Sequence, residues 1–275
     1  MREGVIRAQA TLSKKSIIAL AVSLLLTGVP LLVQAAQIMP NPNPAGSTLD
    51  IINDPSAVNN DNPYYNGGTI NIDAHSTLTN TVGATLNNYP QTIPPGGTLN
   101  NAGTLINYGT LGNVVGTLTN SVGATLNNYG GLYNVISATL NNAGTLNNFA
   151  GATLVAADQA AGLNNAGTLN NFAGATLTTG IDTGHVVNSV GGTLNNYGIA
   201  TIGQIGFKNA GTINNFGSWR GGELTNSVGG TLNNFGKYNI SYSLINAGTL
   251  NNFAGATLTA ESIPFLVDIV KRSPV

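Results

Sequence analysis

The chain has no cysteine, so disulfides and thiolate chemistry contribute nothing to its stability or reactivity. Charge is almost as scarce. Lys, Arg, Asp and Glu make up 7% of the 275 residues, which excludes the basic stripe with which a nucleic-acid binder neutralises phosphates. Two histidines, His75 and His185, are too few for a multi-histidine metal centre, and no thiolate can stand in for them. No serine sits in a nucleophile elbow. Between residues 74 and 260 the only aspartates are Asp158 and Asp182, which excludes calcium-binding nonapeptide repeats with their regular Asp. No cofactor or metal is therefore expected, and stability has to come from hydrogen bonding and apolar packing.

Basic residues gather first at the start of the chain. Arg2, Arg7, Lys14 and Lys15 precede an apolar run from Ile17 to Val33, and Val33-Gln34-Ala35 fits a small-residue cleavage site. This is the pattern of an export signal over residues 1–35, with an uncleaved anchor as the alternative. Cleavage leaves five basic residues against nine acidic ones, with no integral membrane segment and little attraction to phosphate or acidic membranes. Residues 36–67 hold Pro40, Pro42, Pro44, Pro55 and Pro63 among Asn and Asp, a composition of turns and extended segments. They read as a leader or an N-terminal cap, with Thr48-Leu49-Asp50-Ile51-Ile52 able to cover a sheet edge.

From residue 68 to residue 260 one segment recurs. Aligned on Thr-Leu-Asn-Asn-aromatic and close variants, copies begin at Thr85, Thr104, Thr125, Thr145, Thr168, Thr193, Thr212, Thr231 and Thr249. A period near 20 residues is that of a solenoid coil, and Thr, Leu and Val punctuated by Asn and Gly argue for strands. The uneven spacing excludes strict five- or six-residue repeats. The expected fold is all-β: a parallel β-solenoid, or β-helix, of about nine coils of two or three short strands. Residues 261–275 follow as a C-terminal cap or tail.

Each coil carries an apolar residue followed two places later by Asn, in nine pairs from Asn80/Asn88 to Asn246/Asn252. Strand alternation turns the apolar residue and this Asn inward, and the variable residue between them outward. A buried amide needs partners. Identical residues stacked about 4.8 Å apart supply them as an amide ladder. The paired strands are joined by a short corner, Asn101-Ala102-Gly103-Thr104, or a long one, Asn120-Ser121-Val122-Gly123-Ala124-Thr125, and the two-residue difference preserves facing. Gly in each corner points to positive φ. Tyr89, Tyr108, Tyr129, Phe149, Phe172, Tyr197, Phe216, Phe235 and Phe253 supply one aromatic per coil, an edge ladder that packs the stack and offers a sugar-binding strip as a second use.

After the aromatic the copies diverge. Asp158, Asp182, His185, Trp219, Arg220, Glu223 and Lys237 lie in these stretches and form the candidate recognition face. Asp182-Thr183-Gly184-His185 joins a carboxylate to an imidazole, yet no further ligands lie nearby to complete a metal site. Asp158 and Asp182 keep polysaccharide cleavage open as a minor reading. Paired outer rows, Thr85/Asn87 and then Thr125/Asn127 through Thr249/Asn251, suit an ice-binding surface and are also what any exposed strand selects. The open ends of a stacked sheet add self-assembly into fibres.

The string Thr139-Leu-Asn-Asn-Ala-Gly-Thr-Leu-Asn-Asn-Phe149, placed behind an export signal, resembles the repeat regions of bacterial filamentous-haemagglutinin-like and autotransporter-passenger adhesins over about residues 68–260. The resemblance is one of repeat style and transfers no binding residue. It implies an exported, non-enzymatic structural or adhesive protein, secreted or held at the cell surface, with surface glycans, matrix or itself as partner and a secretion partner left unspecified. A carbohydrate-binding or carbohydrate-cleaving β-helix is the alternative.

Overall fold

A computed structural model describes residues 36–271 apart from 45–46, 53, 55, 62–63, 67–68, 73–76, 81–84, 89–96, 158–159, 180–184, 204–205, 261–264 and 267–268. The expected export signal at 1–35 lies outside the described residues. Strands β1 (Thr48–Ile51), β2 (Ala57–Asn59) and β3 (Tyr64–Tyr65) make a first three-sided coil. Strand β4 (Thr69–Ile72) then stacks in parallel on β1, with Thr48 opposite Thr69. The same rule, each strand pairing with the one three places on, builds three parallel sheets of eleven, eleven and ten strands. We call them first, second and third in the order in which a coil visits them. The chain is thus the expected parallel β-solenoid. Stacked partners stand 17 to 29 residues apart, mostly 19 to 23.

One assignment is corrected. Thr85 pairs with Thr110 in the third sheet, whereas the second-sheet partner of Thr104 is Thr77. Asn80 and Asn88 therefore span the second and third sheets, while Asn101 and Asn107 span the first and second. All three sides share the Leu-x-Asn pattern in this part of the chain, so the motif alone does not say which side it occupies.

The alternation is as the strand period requires. In Thr145–Asn148, Leu146 and Asn148 are fully buried while Thr145 and Asn147 are half-exposed. Two unbroken amide columns run through the interior. In the first sheet Asn101 donates Nδ2–H to Asn120 Oδ1 at 2.7 Å, and the chain continues through Asn142, Asn165, Asn188, Asn209, Asn226 and Asn246. In the second it runs from Asn107 through Asn128, Asn148, Asn171, Asn196, Asn215 and Asn234 to Asn252. The other N–H of each amide caps a corner one coil on: Asn120 donates to Thr145 O at 2.9 Å, and Asn148 to Thr176 O at 2.9 Å. Both donors of the buried amide are thereby satisfied.

The third column fails part-way. Asn113 donates to Asn134 at 2.6 Å and Asn134 to Gly162 O at 2.8 Å, but the residue in register above Asn134 is Ala156. Thr179 and Ile202 follow, and the buried Thr179 hydroxyl has no partner. The connections that lead back to the first sheet vary in length on both sides of this break, and the longest, residues 89–97, comes before it.

Corner glycines fall into two classes. In the long corners Gly123, Gly151, Gly174, Gly191, Gly229 and Gly255 have φ of 80 to 83°. The residue after each donates to the carbonyl two before it, as Ala124 N does to Ser121 O at 3.0 Å, the geometry of a type II turn. The short-corner Gly144 is outside that φ range: a Cβ there would lie 2.3 Å from Ala124 O and 2.4 Å from Ser121 O. The expectation of positive φ in every corner is corrected, since short corners need glycine for close approach of stacked backbones.

Within the segment expected as leader or cap, residues 48–65 form the first coil of the stack and residues 36–43 lie against it. Ile38 N donates to Val58 O at 2.8 Å and Asn43 N to Tyr65 O at 2.9 Å, while Asn43 Nδ2 donates to Asn66 Oδ1 at 2.7 Å. At the other end Phe265–Leu266 and Ile269–Lys271 pair on the last full coil.

Two substitution pairs test these causes by urea-denaturation midpoint. Gly144→Ala costs about 3 kcal/mol, because backbone atoms must move, whereas Gly123→Ala costs only about 1 to 2 kcal/mol of φ strain; equal costs contradict the two-class account. Thr179→Val raises stability by about 1 kcal/mol, whereas Asn148→Val lowers it by roughly 3 kcal/mol by stranding the amides of Asn128 and Asn171.

Candidate recognition face

On the outer surfaces of the first two sheets neutral hydrogen-bonding side chains predominate, interrupted by Ile106, Val187, Lys208 and Ile245. On the second sheet the Thr row from Thr104 to Thr249 runs in register beside an Asn row from Asn127 to Asn251. These outer amides form a ladder of their own, directed the other way: Asn147 donates to Asn127 at 2.9 Å, Asn170 to Asn147, and so on to Asn251 donating to Asn233 at 2.8 Å. From Asn147 on, each outer amide spends one donor on the amide of the preceding coil.

The expected aromatic row is present from Tyr108 to Phe253, Tyr89 lying outside the described residues. Successive rings are 4.1 to 6.2 Å apart and within 16° of parallel. Ring faces are therefore covered by neighbouring rings and only rims meet solvent. Sugars pack on ring faces, so this geometry favours the packing role over the sugar-binding strip.

Each aromatic opens a second corner of the same two kinds. Phe149-Ala150-Gly151-Ala152-Thr153 leads into the third-sheet strand Thr153–Ala157 just as Ser121-Val122-Gly123-Ala124-Thr125 leads into the second. That shared corner grammar is the signal by which the third strand could have been found in the sequence.

The third sheet carries the variable surface. Its central outer column reads Gly112, Tyr133, Val155, Thr178, Thr201, Arg220, Asn239 and Thr259 in register. It passes from apolar through hydroxyl to cationic and amide groups. Arg220 and Lys237 are both exposed on adjacent coils of this face. An open depression of about 420 Å³ lies there, lined by Ser218, Arg220, Lys237, Asn239, Thr257 and Thr259, with Trp219 and Tyr238 beneath.

The other candidate residues are dispersed. His185 is exposed at the start of a first-sheet strand. Glu223 precedes another, its carbonyl accepting from Phe207 N at 2.9 Å. Asp158 and Asp182 lie outside the described residues. Trp219 is corrected: its side chain is 1% exposed and belongs to the core. It stacks on Tyr238 at 5.1 Å and meets Phe207 edge-on at 5.2 Å, while Ala200, its partner in the preceding coil, leaves room for the indole. Among the described residues no three His, Cys, Asp or Glu gather as a metal site, and no helix is long and apolar enough to cross a membrane.

Comparison with protein-family models, curated proteins and solved structures finds no match to this chain.

Two buried phenols make stability pH-dependent. Burial, and secondarily the charge of Asp61, push the Tyr64 hydroxyl up to about 12; it donates to Pro40 O at 2.7 Å. Burial alone pushes Tyr238 well above the ordinary 10.0. The fold holds both neutral, whereas the unfolded chain ionises them near the ordinary value. Their contribution is intact below pH 10.0 and is lost as pH rises through the folded values. Denaturation midpoints should fall above that pH with a slope of about 1.4 kcal/mol per unit for each phenol. Tyr64→Phe should remove one share of that slope.

Proposed function

We propose that this chain is an exported, non-enzymatic structural or adhesive protein that acts outside the cell or on its surface. The observation that carries the reading is the pair of long, in-register outer rows on the second sheet, neutral Thr and Asn repeated every coil. Such a surface offers many weak, equivalent contacts, which suits attachment spread along the stack. The polar interior supports the same reading, because its Asn columns are spent on one another and on corner carbonyls. The basic and apolar start of the chain and the repeat-style likeness to filamentous-haemagglutinin-like and passenger adhesins supply the extracellular setting. Surface glycans or matrix are the partners proposed.

The test is attachment of beads coated with the mature chain to cells or matrix. Asp182→Ala and His185→Ala each leave attachment and circular dichroism unchanged, because on this reading attachment is spread over the outer rows and not held at one discrete site. Leu146→Asp abolishes both, since a carboxylate at a fully buried position has no partner in the apolar column. Loss of attachment from Asp182→Ala or His185→Ala alone, or polysaccharide turnover by the purified chain, overturns the proposal.

A further inference from the structure

We infer that the outer face of the third sheet, at the depression around Arg220 and Lys237, binds a carboxylate-bearing polysaccharide. The inference rests on the adhesive reading and names the partner class for one place on that surface.

The first observation is the placement of charge. No Lys or Arg occurs between residue 36 and residue 207; the first three thereafter are Lys208, Arg220 and Lys237. Arg220 and Lys237 share one face, and the depression they line contains no acidic side chain. Arg220 Nε donates to Ser218 Oγ at 3.3 Å, and the side chain is exposed on the face. An uncompensated cation pair on a chain with so little charge has no role in the stack, which elsewhere is built without ions.

The remaining lining selects the partner. Ser218, Asn239, Thr257 and Thr259 present hydroxyl and amide groups over three successive coils, and such groups match the hydroxyls of a sugar chain lying along the stack. Two cations among four neutral groups fit a polymer with no more than one acid group per sugar. They do not fit nucleic acid, whose closely spaced phosphates require many cations. A guanidinium fork accepts a carboxylate in a bidentate manner, with the Lys237 ammonium as a second point charge. Trp219 and Tyr238 are buried and stacked beneath the face, so the strands that carry the two cations rest on a packed core.

The experiment measures binding of the full mature chain to polygalacturonate, to the same polymer fully methyl-esterified, and to dextran sulfate of equal charge density. Polygalacturonate binds, and esterification weakens binding by about tenfold or more, the loss of one charge-assisted contact. Arg220→Gln with Lys237→Gln produces a similar loss, whereas Lys208→Gln, on the first sheet, stays within about twofold, a difference well under one such contact. Unchanged Trp219 fluorescence confirms that the variants are folded. Equal binding of acid and ester, no effect of the double variant, or an equal effect of Lys208→Gln overturns the inference. Tighter binding of dextran sulfate overturns the carboxylate assignment. Bead attachment is read in parallel: attachment without polygalacturonate binding overturns this site alone, and polygalacturonate binding without attachment upholds the site and overturns the adhesive reading.

Discussion

A primary amide sealed in a protein interior must find partners for two N–H groups and a carbonyl, and the architecture follows from the way this chain meets that requirement. A single inward Asn would be costly. Stacked on its equivalents one coil away, each amide donates once to the next carbonyl oxygen and once to the backbone of the next corner, as Asn120 does to Asn142 and to Thr145 O. The solution works only if every coil presents Asn at the same place. It therefore locks register more tightly than apolar packing alone, because a slip of one residue would turn the whole column outward. It also accounts for the missing ions and disulfides, since the column and its flanking Leu residues already specify the interior.

The inner and outer amide ladders run in opposite directions. Inner amides donate toward the C-terminal coil and outer ones toward the N-terminal coil. Side-chain dipoles along one sheet therefore oppose each other, and a long stack does not accumulate the field that aligned amides would create. The corners obey the same economy of space. Where the backbones of adjacent coils touch, only Gly fits, as at Gly144; where the turn swings outward, Gly supplies φ instead and the neighbouring valine projects freely, as Val122 does at 84% exposure.

The parts of the fold legible in the sequence are those with a repeating physical cause. Leu-x-Asn at period two reveals which residues point inward, and an aromatic once per coil reveals the edge stack. Less legible was the number of sides. Corner lengths and the Leu-x-Asn pattern are shared among sheets, so Asn80/Asn88 is indistinguishable by motif from Asn101/Asn107 although it occupies a different pair of sides. The candidate face was legible only as a region of divergence. Trp219 was drawn into it because large aromatics in variable stretches suggest recognition, but alternation within Ser218–Gly221 turns Trp219 inward and Arg220 outward. That parity depends on where the strand begins, and no Thr-Leu marks its start.

The location of the divergence carries its own argument. On the first and second sheets an unbroken Asn column runs from Asn101 and Asn107, and the corners that follow come in only two lengths, two or four residues between strands. On the third sheet the column ends at Asn134, and Ala156, Thr179 and Ile202 follow in register. The side released from the interior constraint is the one whose outer residues pass from Tyr133 and Val155 to Arg220. A surface can acquire specific chemistry only where the stack tolerates change. Arg220 and Lys237 stand on this side, on coils whose third-sheet interior no longer holds the ladder.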